Sequence, residues 1–232
     1  MMELLECKNV EMNFGDKKAL DNINLKIKKG KIVGLLGKNG SGKTTLIKII
    51  NNLLVPSEGD VLVHGQKVGL ESKRVISYLP ERTYLTMNMT AREVIDYFAD
   101  FYQDFDKEKA YQLLDNLEIK ATDKLSTMSK GTKEKVQLIL VMSRKADLYI
   151  LDEPMGGVDA ATRDYILETI LTNFNDEASI LISTHLISDV EKILDEVIFL
   201  DDGKIVLYDD ADKLRNKQGK SIDEIFREEF KC

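Results

Sequence analysis

The run from Gly37 to Thr44, GKNGSGKT, constrains this chain more than any other feature, because it fits the pattern G-x-x-x-x-G-K-[ST]. The apolar run 31–36 before it is typical of a buried strand, and residues 45–51 after it have apolar side chains at helical spacing. A strand, a glycine-rich turn and a helix N-terminus together form a phosphate cradle, since glycines let backbone N–H groups approach the ligand and the helix end carries a partial positive charge. The sequence therefore predicts a phosphate-binding loop, here called the P-loop.

Two side chains at the end of the P-loop have specific predicted roles. We expect Lys43 to reach the outer phosphates of a nucleotide and the hydroxyl of Thr44 to take one position on Mg²⁺. The predicted nucleotide-binding residues of this segment are Gly37, Asn39, Gly40, Ser41, Gly42, Lys43, Thr44 and Thr45.

A pair of adjacent acids follows another apolar run well downstream. Residues 148–151, LYIL, are typical of a buried strand, and Asp152 and Glu153 come directly after it. Asp152 is suited to holding Mg²⁺ directly or through water, and Glu153 is suited to taking the proton from an attacking water. Together with the P-loop, this pair predicts nucleotide hydrolysis.

Length and composition exclude several other classes of protein. A chain of 232 residues with 43% hydrophobic and 31% charged residues can bury a sizeable core. The net charge of −7 argues against general nucleic-acid binding, since a phosphate backbone favours a basic face. Cys7 and Cys232 have no metal-site spacing, so we expect free thiols in a reducing compartment. Without a leader pattern or a membrane-length apolar run, we expect a soluble intracellular protein that meets a membrane only through a partner.

The order of predicted elements indicates an α/β core interrupted by helices. Three helices follow one another without a strand, and the first opens with a capping box from Thr90 to Glu93. Asp202 and Gly203 predict a hairpin turn, and residues 186–194 read as a helix. We expect a single domain in which the core comprises 1–80 and 146–210, the helical subdomain 81–145 and a helical tail 211–232.

These motifs give the sequence a resemblance, over essentially its whole length, to the ATP-binding subunit of an ABC transporter. Gly37 to Thr44 corresponds to the Walker A motif and residues 148–152 to Walker B, with Glu153 as the catalytic base. The resemblance implies a P-loop NTPase (RecA-like) core with an antiparallel β subdomain and an inserted α-helical subdomain. It also implies ATPase activity with ATP and Mg²⁺ as ligands.

The resemblance assigns roles to residues outside these two motifs. Phe14 lies where the family has an aromatic residue that stacks on adenine, and His185 resembles the switch histidine that contacts the γ-phosphate. Residues 154–159 resemble the D-loop. In the family, the signature motif meets the γ-phosphate of the opposite subunit, and here Ser129 and Gly131 occupy that motif at a helix N-terminus.

Two positions depart from the commonest family pattern. The signature reads MSKGT at 128–132 instead of LSGGQ, so Lys130 replaces a glycine that allows close backbone approach. Glu81 stands where many members have Gln; its carboxylate still offers an oxygen to Mg²⁺ or its water but adds charge. Both variants resemble the bacterial ABC-2-type exporter branch, which includes exporters of antibiotics and peptides.

The resemblance also implies partners. Two copies, or this chain and a paralogue, are expected to sandwich two ATP molecules and to bind a polytopic membrane subunit at the cytoplasmic face of the plasma membrane. The helical subdomain and residues 81–92 would grip that subunit, and no nucleic acid is expected. Export is the predicted direction; import and a non-transport regulatory or immunity ATPase stay open. A GTPase is disfavoured because residues 216–219, NKQG, lack the Asp of N-K-x-D.

Overall fold

The computed structural model describes residues 3–173 and 177–231, and the strands of these residues form two sheets. The strands are β1 (Glu3–Phe14), β2 (Lys17–Lys28), β3 (Ile32–Leu36), β4 (Glu58–Val63), β5 (Gln66–Lys67), β6 (Ile76–Leu79), β7 (Leu148–Asp152), β8 (Ser179–Thr184), β9 (Glu196–Asp201) and β10 (Lys204–Asp210). The helices are α1 (Lys43–Ile50), α2 (Ser72–Val75), α3 (Ala91–Phe101), α4 (Lys107–Asn116), α5 (Lys130–Met142), α6 (Ala160–Asn173), α7 (Ile187–Val190), α8 (Ala211–Gln218) and α9 (Ile222–Glu229).

The first sheet is antiparallel and runs in the order β2-β1-β4-β5. In β2, apolar and polar residues alternate, and Ile23, Leu25 and Ile27 are buried between exposed neighbours. Their side chains share a hydrophobic cluster with Leu46 and Ile50 of α1. This sheet therefore covers the helix that begins at the end of the P-loop.

The second sheet has the order β10-β9-β3-β8-β7-β6, and its central pairs are parallel. Every residue of β3, β7 and β8 is buried, as expected for parallel strands covered on both faces. The apolar runs 31–36 and 148–151 predicted this for β3 and β7. Parallel strands end at the same edge, so the segments that follow β3, β7 and β8 meet there. That edge receives the P-loop, the Asp152–Glu153 pair and His185.

Helices α3, α4 and α5 pack around a cluster of their own, which includes Val94, Phe98 and Leu114. The predicted capping box is present at the start of α3. The Thr90 hydroxyl accepts a hydrogen bond from Glu93 N at 3.2 Å, and Glu93 Oε2 accepts one from Thr90 N at 2.7 Å.

Arg144 fastens this helical segment to the parallel sheet. Its side chain is 3% exposed, and its guanidinium donates to the backbone oxygens of Ile76 at 2.6 Å and Arg74 at 2.7 Å. The same group forms an ion pair with Asp104 at 3.0 Å and lies 3.9 Å from the ring centre of Tyr102. The buried Arg144 side chain thus links the α3–α5 segment to the parallel sheet.

Some expectations need correction or lie outside the described residues. Residues 186–194 do not form one helix: α7 is a single turn followed by a 3₁₀ turn, Glu191–Ile193. Ile187, Val190 and Ile193 all contact the main core, and their spacing of three suits the tighter 3₁₀ repeat. Cys7 is a buried free thiol whose pKa burial raises to about 12.

The thiol expected at Cys232 falls outside the described residues. Within the described ranges, none of the helices combines the length and apolar character needed to cross a bilayer.

Candidate active site

A cleft of about 930 Å³ opens where β3, β7 and β8 end, within the usual range of about 300–1,000 Å³ for ligand pockets. Ten of the residues predicted from the sequence line it: Phe14, Asn39, Gly40, Gly42, Lys43, Thr44, Thr45, Glu81, Glu153 and His185. Segments far apart in the sequence therefore share one cavity.

The P-loop takes a conformation that only glycine tolerates at several positions. Gly42 has φ +109°, and a Cβ there would lie 2.8 Å from the backbone oxygen of Ala19. A Cβ on Gly37 would lie 2.4 Å from the backbone oxygen of Leu200. The loop is thus pressed against β2 and β9, and no side chain fits at these positions.

Lys43 lies in the floor of the cleft and is almost fully buried. Its Nζ donates hydrogen bonds to the backbone oxygens of Gly37 at 2.7 Å and Lys38 at 3.3 Å. It also lies 3.6 Å from Glu153 Oε1. Burial lowers the pKa of Lys43, and the negative charges of Glu153 and Asp152 act in the opposite direction. The positive charge of the Lys43 ammonium is therefore only partly balanced by the groups around it.

Asp152 is 1% exposed, and its two carboxylate oxygens are in different situations. Oδ1 accepts hydrogen bonds from Ser183 Oγ at 2.5 Å and Thr44 Oγ1 at 3.4 Å. Oδ2 is buried and has no hydrogen-bond partner among the described residues. Burial raises the pKa of Asp152, against the lowering effect of the Ser183 and Thr44 hydroxyls.

Ser183 is a site residue that the sequence reasoning missed. Besides its bond to Asp152, its Oγ accepts a hydrogen bond from Glu153 N at 3.1 Å. Asp152 and Ser183 are register partners on the neighbouring parallel strands β7 and β8. A hydroxyl one residue before the end of a buried apolar run was the available signal, but only the strand pairing shows what it faces.

The donor set at this point fits Mg²⁺. The Thr44 hydroxyl and the unpartnered Asp152 oxygen are hard oxygen ligands, and a cation would relieve the burial of the carboxylate. The described residues contain no group of three acidic, His or Cys side chains able to hold a metal by themselves. This agrees with a metal that takes its remaining ligands from substrate phosphates and water. Glu81 lines the same cleft but is exposed, so its metal role stays a prediction.

Glu153 projects into the cleft from a backbone in the left-handed region, with φ +50°. Its Oε2 lies 2.8 Å from His185 Nδ1. A non-glycine residue in this region carries local strain, which is common at functional sites. The arrangement places a carboxylate, an imidazole and the Lys43 ammonium within one contact network.

Phe14 lies at the end of β1, is 49% exposed and lines the cleft. Lys17, at the start of β2, is its cross-strand partner and lines the same wall. No sequence signal pointed to Lys17, because Lys17 and Lys18 follow a turn and match no binding motif.

Ser129 and Gly131 are not among the residues that line this cleft. Ser129 is the exposed N-cap of α5, and its Oγ accepts a hydrogen bond from Thr132 N at 3.1 Å. Lys130, between them, does reach the cleft. Within one chain, the predicted signature residues and the P-loop are therefore not brought together.

The fold and the cleft define a P-loop NTPase of mixed α/β architecture, and comparison with known proteins gives its family. The sequence pattern of the family described as "ABC transporter" matches residues 20–156, more than half of the chain. The chain belongs to the ABC transporter family as an ATP-binding subunit, and it is an ABC-type ATPase.

Curated relatives span most of the chain. The ABC transporter ATP-binding protein YtrB of Bacillus subtilis is 30% identical over 217 residues, covering 92% of this chain and 74% of the relative. The SkfA peptide export ATP-binding protein SkfE of the same organism is 32% identical, covering 88% of each chain. The linearmycin resistance ATP-binding protein LnrL, also from B. subtilis, is 30% identical, covering 88% of this chain and 68% of the relative.

Solved structures share the whole architecture. An ATP-binding subunit of an ABC transporter superposes with a TM-score of 0.87 at 29% identity, covering 97% of this chain and 98% of the other. The dimeric bacterial ABC transporter cassette MJ0796 gives a TM-score of 0.79 at 25% identity, covering 89% of this chain and 98% of the other.

Proposed function

We propose that this chain powers the export of a peptide or antibiotic by closing as a dimer around two ATP molecules. The proposal rests on the separation of the signature residues from the P-loop within one chain. Ser129 and Gly131 are presented at an open helix N-terminus, away from the cleft that the P-loop and Glu153 share. A second subunit, either a copy or a paralogue, would supply its signature residues to each cleft. Each chain then holds two half-sites.

In this proposal the chain's own side chains divide the work of hydrolysis. The P-loop N–H groups and Lys43 bind the β- and γ-phosphates and neutralise charge as it develops. Glu153 accepts a proton from a water whose oxygen attacks the γ-phosphorus, while the bond to the β–γ bridging oxygen breaks. ADP and phosphate leave, and His185 orients Glu153 and contacts the γ-phosphate. Phe14 stacks on the adenine.

Thr44 and Asp152 would hold Mg²⁺, which supplies charge neutralisation at the phosphate oxygens when bound. Ser183 orients the Asp152 carboxylate through its 2.5 Å hydrogen bond. Glu81 would offer a carboxylate oxygen to the ion or to a water bound to it, because it lines the same cleft.

Transport itself requires a membrane subunit, and we propose that residues 81–92 and the α3–α5 segment bind it at the cytoplasmic face. The names of relatives favour export of a peptide or an antibiotic: one belongs to SkfA peptide export and another to linearmycin resistance. Closure of the dimer would then drive the membrane subunit between two conformations.

The first test is ATP-dependent dimerisation of the purified chain carrying Glu153→Gln, which should trap bound ATP. Size-exclusion chromatography with light scattering should give a dimer with Mg-ATP and a monomer with ADP. Adding Ser129→Arg should abolish that dimer without weakening ATP binding to the monomer. A dimer that forms equally well with Ser129→Arg would contradict the sandwich.

The export step needs a cellular test. Cells that produce this chain should lose resistance to one or more members of a panel of peptide antibiotics when Lys43→Ala replaces the wild-type chain. Unchanged resistance across the panel, together with normal dimerisation in vitro, would favour a non-transport role.

A further inference from the structure

The tail, residues 211–231, contacts the P-loop directly. Lys38 is the second residue of the P-loop, and its Nζ donates a hydrogen bond to the backbone oxygen of Phe230 at 2.8 Å. The same Nζ lies 5.6 Å from the centre of the Phe230 ring. Phe230 follows the last turn of α9, where helix carbonyls carry a partial negative charge that favours a cation.

An aromatic cluster holds Phe230 in place. The ring is 8% exposed and stacks on Phe226, with 4.2 Å between centroids. Phe199 of β9 lies 6.0 Å from it and is the register partner of Leu36, the residue that enters the P-loop. The acceptor oxygen is thus fixed against the strand that carries the loop.

The backbone of Lys38 makes two contacts inside the P-loop. Its oxygen accepts a hydrogen bond from Ser41 N at 3.1 Å and another from Lys43 Nζ at 3.3 Å. A displacement of Lys38 therefore moves the turn at Ser41 and one of the acceptors of Lys43. The tail reaches the phosphate-binding groups through a single intermediate residue.

The tail also contacts the segment that follows His185. Asp223 N donates to Glu191 Oε2 at 3.1 Å, and the Arg215 guanidinium donates to the backbone oxygen of Glu191. Because Ile187 and Ile225 lie in the same hydrophobic cluster, the tail is packed as a rigid part of the core.

We propose that the tail sets the conformation of the P-loop through Phe230 and Lys38, and that Lys38 is a positioning residue for ATP binding. Its ammonium acts on the tail and not on the phosphates. This inference rests on the P-loop being the ATP site of the proposed function.

The test uses the full chain with Lys38→Met, Lys38→Arg, Phe230→Leu and the double variant Lys38→Met with Phe230→Leu. We expect Lys38→Met to raise the Kd for ATP, measured by calorimetry, and the KM on the order of threefold to tenfold, with kcat within about twofold. Lys38→Arg should restore both, because a guanidinium donates to a carbonyl and stacks on a ring. Phe230→Leu should raise the Kd similarly, and the double variant should add little to either single change.

Lys217→Met, at an exposed lysine of the same tail, is the matched control and should bind ATP like the wild type. The inference would be overturned if Lys38→Met raised the Kd for ATP, Phe230→Leu left it unchanged and the double variant showed additive effects. That result would show that Lys38 acts on the nucleotide itself. Wild-type affinity in both variants would also overturn the inference. If Phe230→Leu unfolds at room temperature, the comparison of Lys38→Met with Lys38→Arg tests the inference. A Kd for ATP that stays raised in Lys38→Arg would contradict a positioning role for Lys38. A wild-type chain that binds no ATP would overturn the proposed function as well.

Discussion

The Nδ1 atom of His185 lies 2.8 Å from Oε2 of Glu153, and these residues follow the neighbouring strands β7 and β8. The other oxygen of the same carboxylate lies 3.6 Å from Lys43 Nζ. An imidazole and an ammonium group thus each contact a different oxygen of Glu153. A carboxylate oriented in this way is suited to receiving a proton from one direction.

We expect Glu153→Gln to lower kcat for ATP hydrolysis on the order of 10²- to 10⁴-fold, because an amide cannot accept the proton of the attacking water. ATP affinity should change little, since the amide keeps the shape of the side chain. Phosphate release and calorimetric ATP binding measure the two quantities. Glu168→Gln, an exposed glutamate of α6, is the control. Wild-type turnover in Glu153→Gln would exclude this residue as the base.

His185→Ala should lower kcat on the order of tenfold to a hundredfold, because Glu153 loses the contact that orients Oε2. The chain contains only one other histidine, His64, which supplies the matched control. His64 Nε2 lies 2.7 Å from Asp147 Oδ2, at the turn between β4 and β5. We therefore expect His64→Ala to leave kcat unchanged. Equal losses in the two variants would point to general destabilisation.

We expect Asp152→Asn to make the folded chain more stable and ATP hydrolysis slower. The substitution removes a buried carboxylate oxygen that has no partner among the described residues. We expect the free energy of unfolding of the nucleotide-free chain to rise by about 1 kcal/mol, and the Tm by about 2–4 °C. Hydrolysis should fall on the order of a hundredfold or more, because the proposed Mg²⁺ site loses a ligand. Asp164→Asn, at an exposed position of α6, should change neither quantity. A lower Tm for Asp152→Asn would show that this charge stabilises the fold.

The pH dependence of stability gives a second measurement on Asp152. Burial raises the pKa of this carboxyl above its ordinary value of 3.8, so the folded chain binds the proton more tightly than the unfolded chain. Its contribution to stability is therefore full below pH 3.8 and is lost as pH rises through the raised folded value. Chemical denaturation across this pH window measures the free energy of unfolding. The free energy of Asp152→Asn should rise relative to that of the wild type as pH rises. A difference that stays constant with pH would contradict the raised pKa.

Arg144→Met should destabilise the chain by about 3 kcal/mol, a loss on the order of 6–12 °C in Tm. The change leaves the backbone oxygens of Ile76 and Arg74 without their buried donor. Arg144→Lys should recover only part of the loss, because an ammonium lacks the planar fork that reaches several acceptors. Arg74→Met, whose side chain is 71% exposed in its ion pair with Glu71, should cost less than about 1 kcal/mol. A mild effect of Arg144→Met would show that the helical segment is held by apolar packing alone.

The elements with strong local patterns were predictable from the sequence. The buried strands β3 and β7 follow short apolar runs, and the capping box at Thr90 is a local hydrogen-bond pattern. Residues 186–194 were predicted as one helix because apolar spacing fits both 3.6 and 3.0 residues per turn over so short a segment. Only the position of the core beneath Val190 and Ile193 selects the tighter turn.

Some residues of the candidate site were likewise predictable from the sequence, and others were not. Gly37 to Thr44 and the Asp152–Glu153 pair are recognisable because backbone cradling and paired acids require particular residue types at fixed spacing. Ser183, Lys17 and the Lys38–Phe230 contact carry no such pattern, since each depends on which strand or helix lies alongside.

The sequence by itself determined the phosphate-binding chemistry of this protein, because that chemistry depends on two short motifs. The glycines, lysine and hydroxyl of the P-loop form one, and the adjacent acids Asp152 and Glu153 form the other. Only the tertiary structure decided which groups meet across it. Parallel strand pairing brings Asp152 to Ser183 and Glu153 to His185, and the docking of α9 brings Phe230 to Lys38. These contacts join residues far apart in the chain, so their free energy comes from packing of the whole core and not from local propensity.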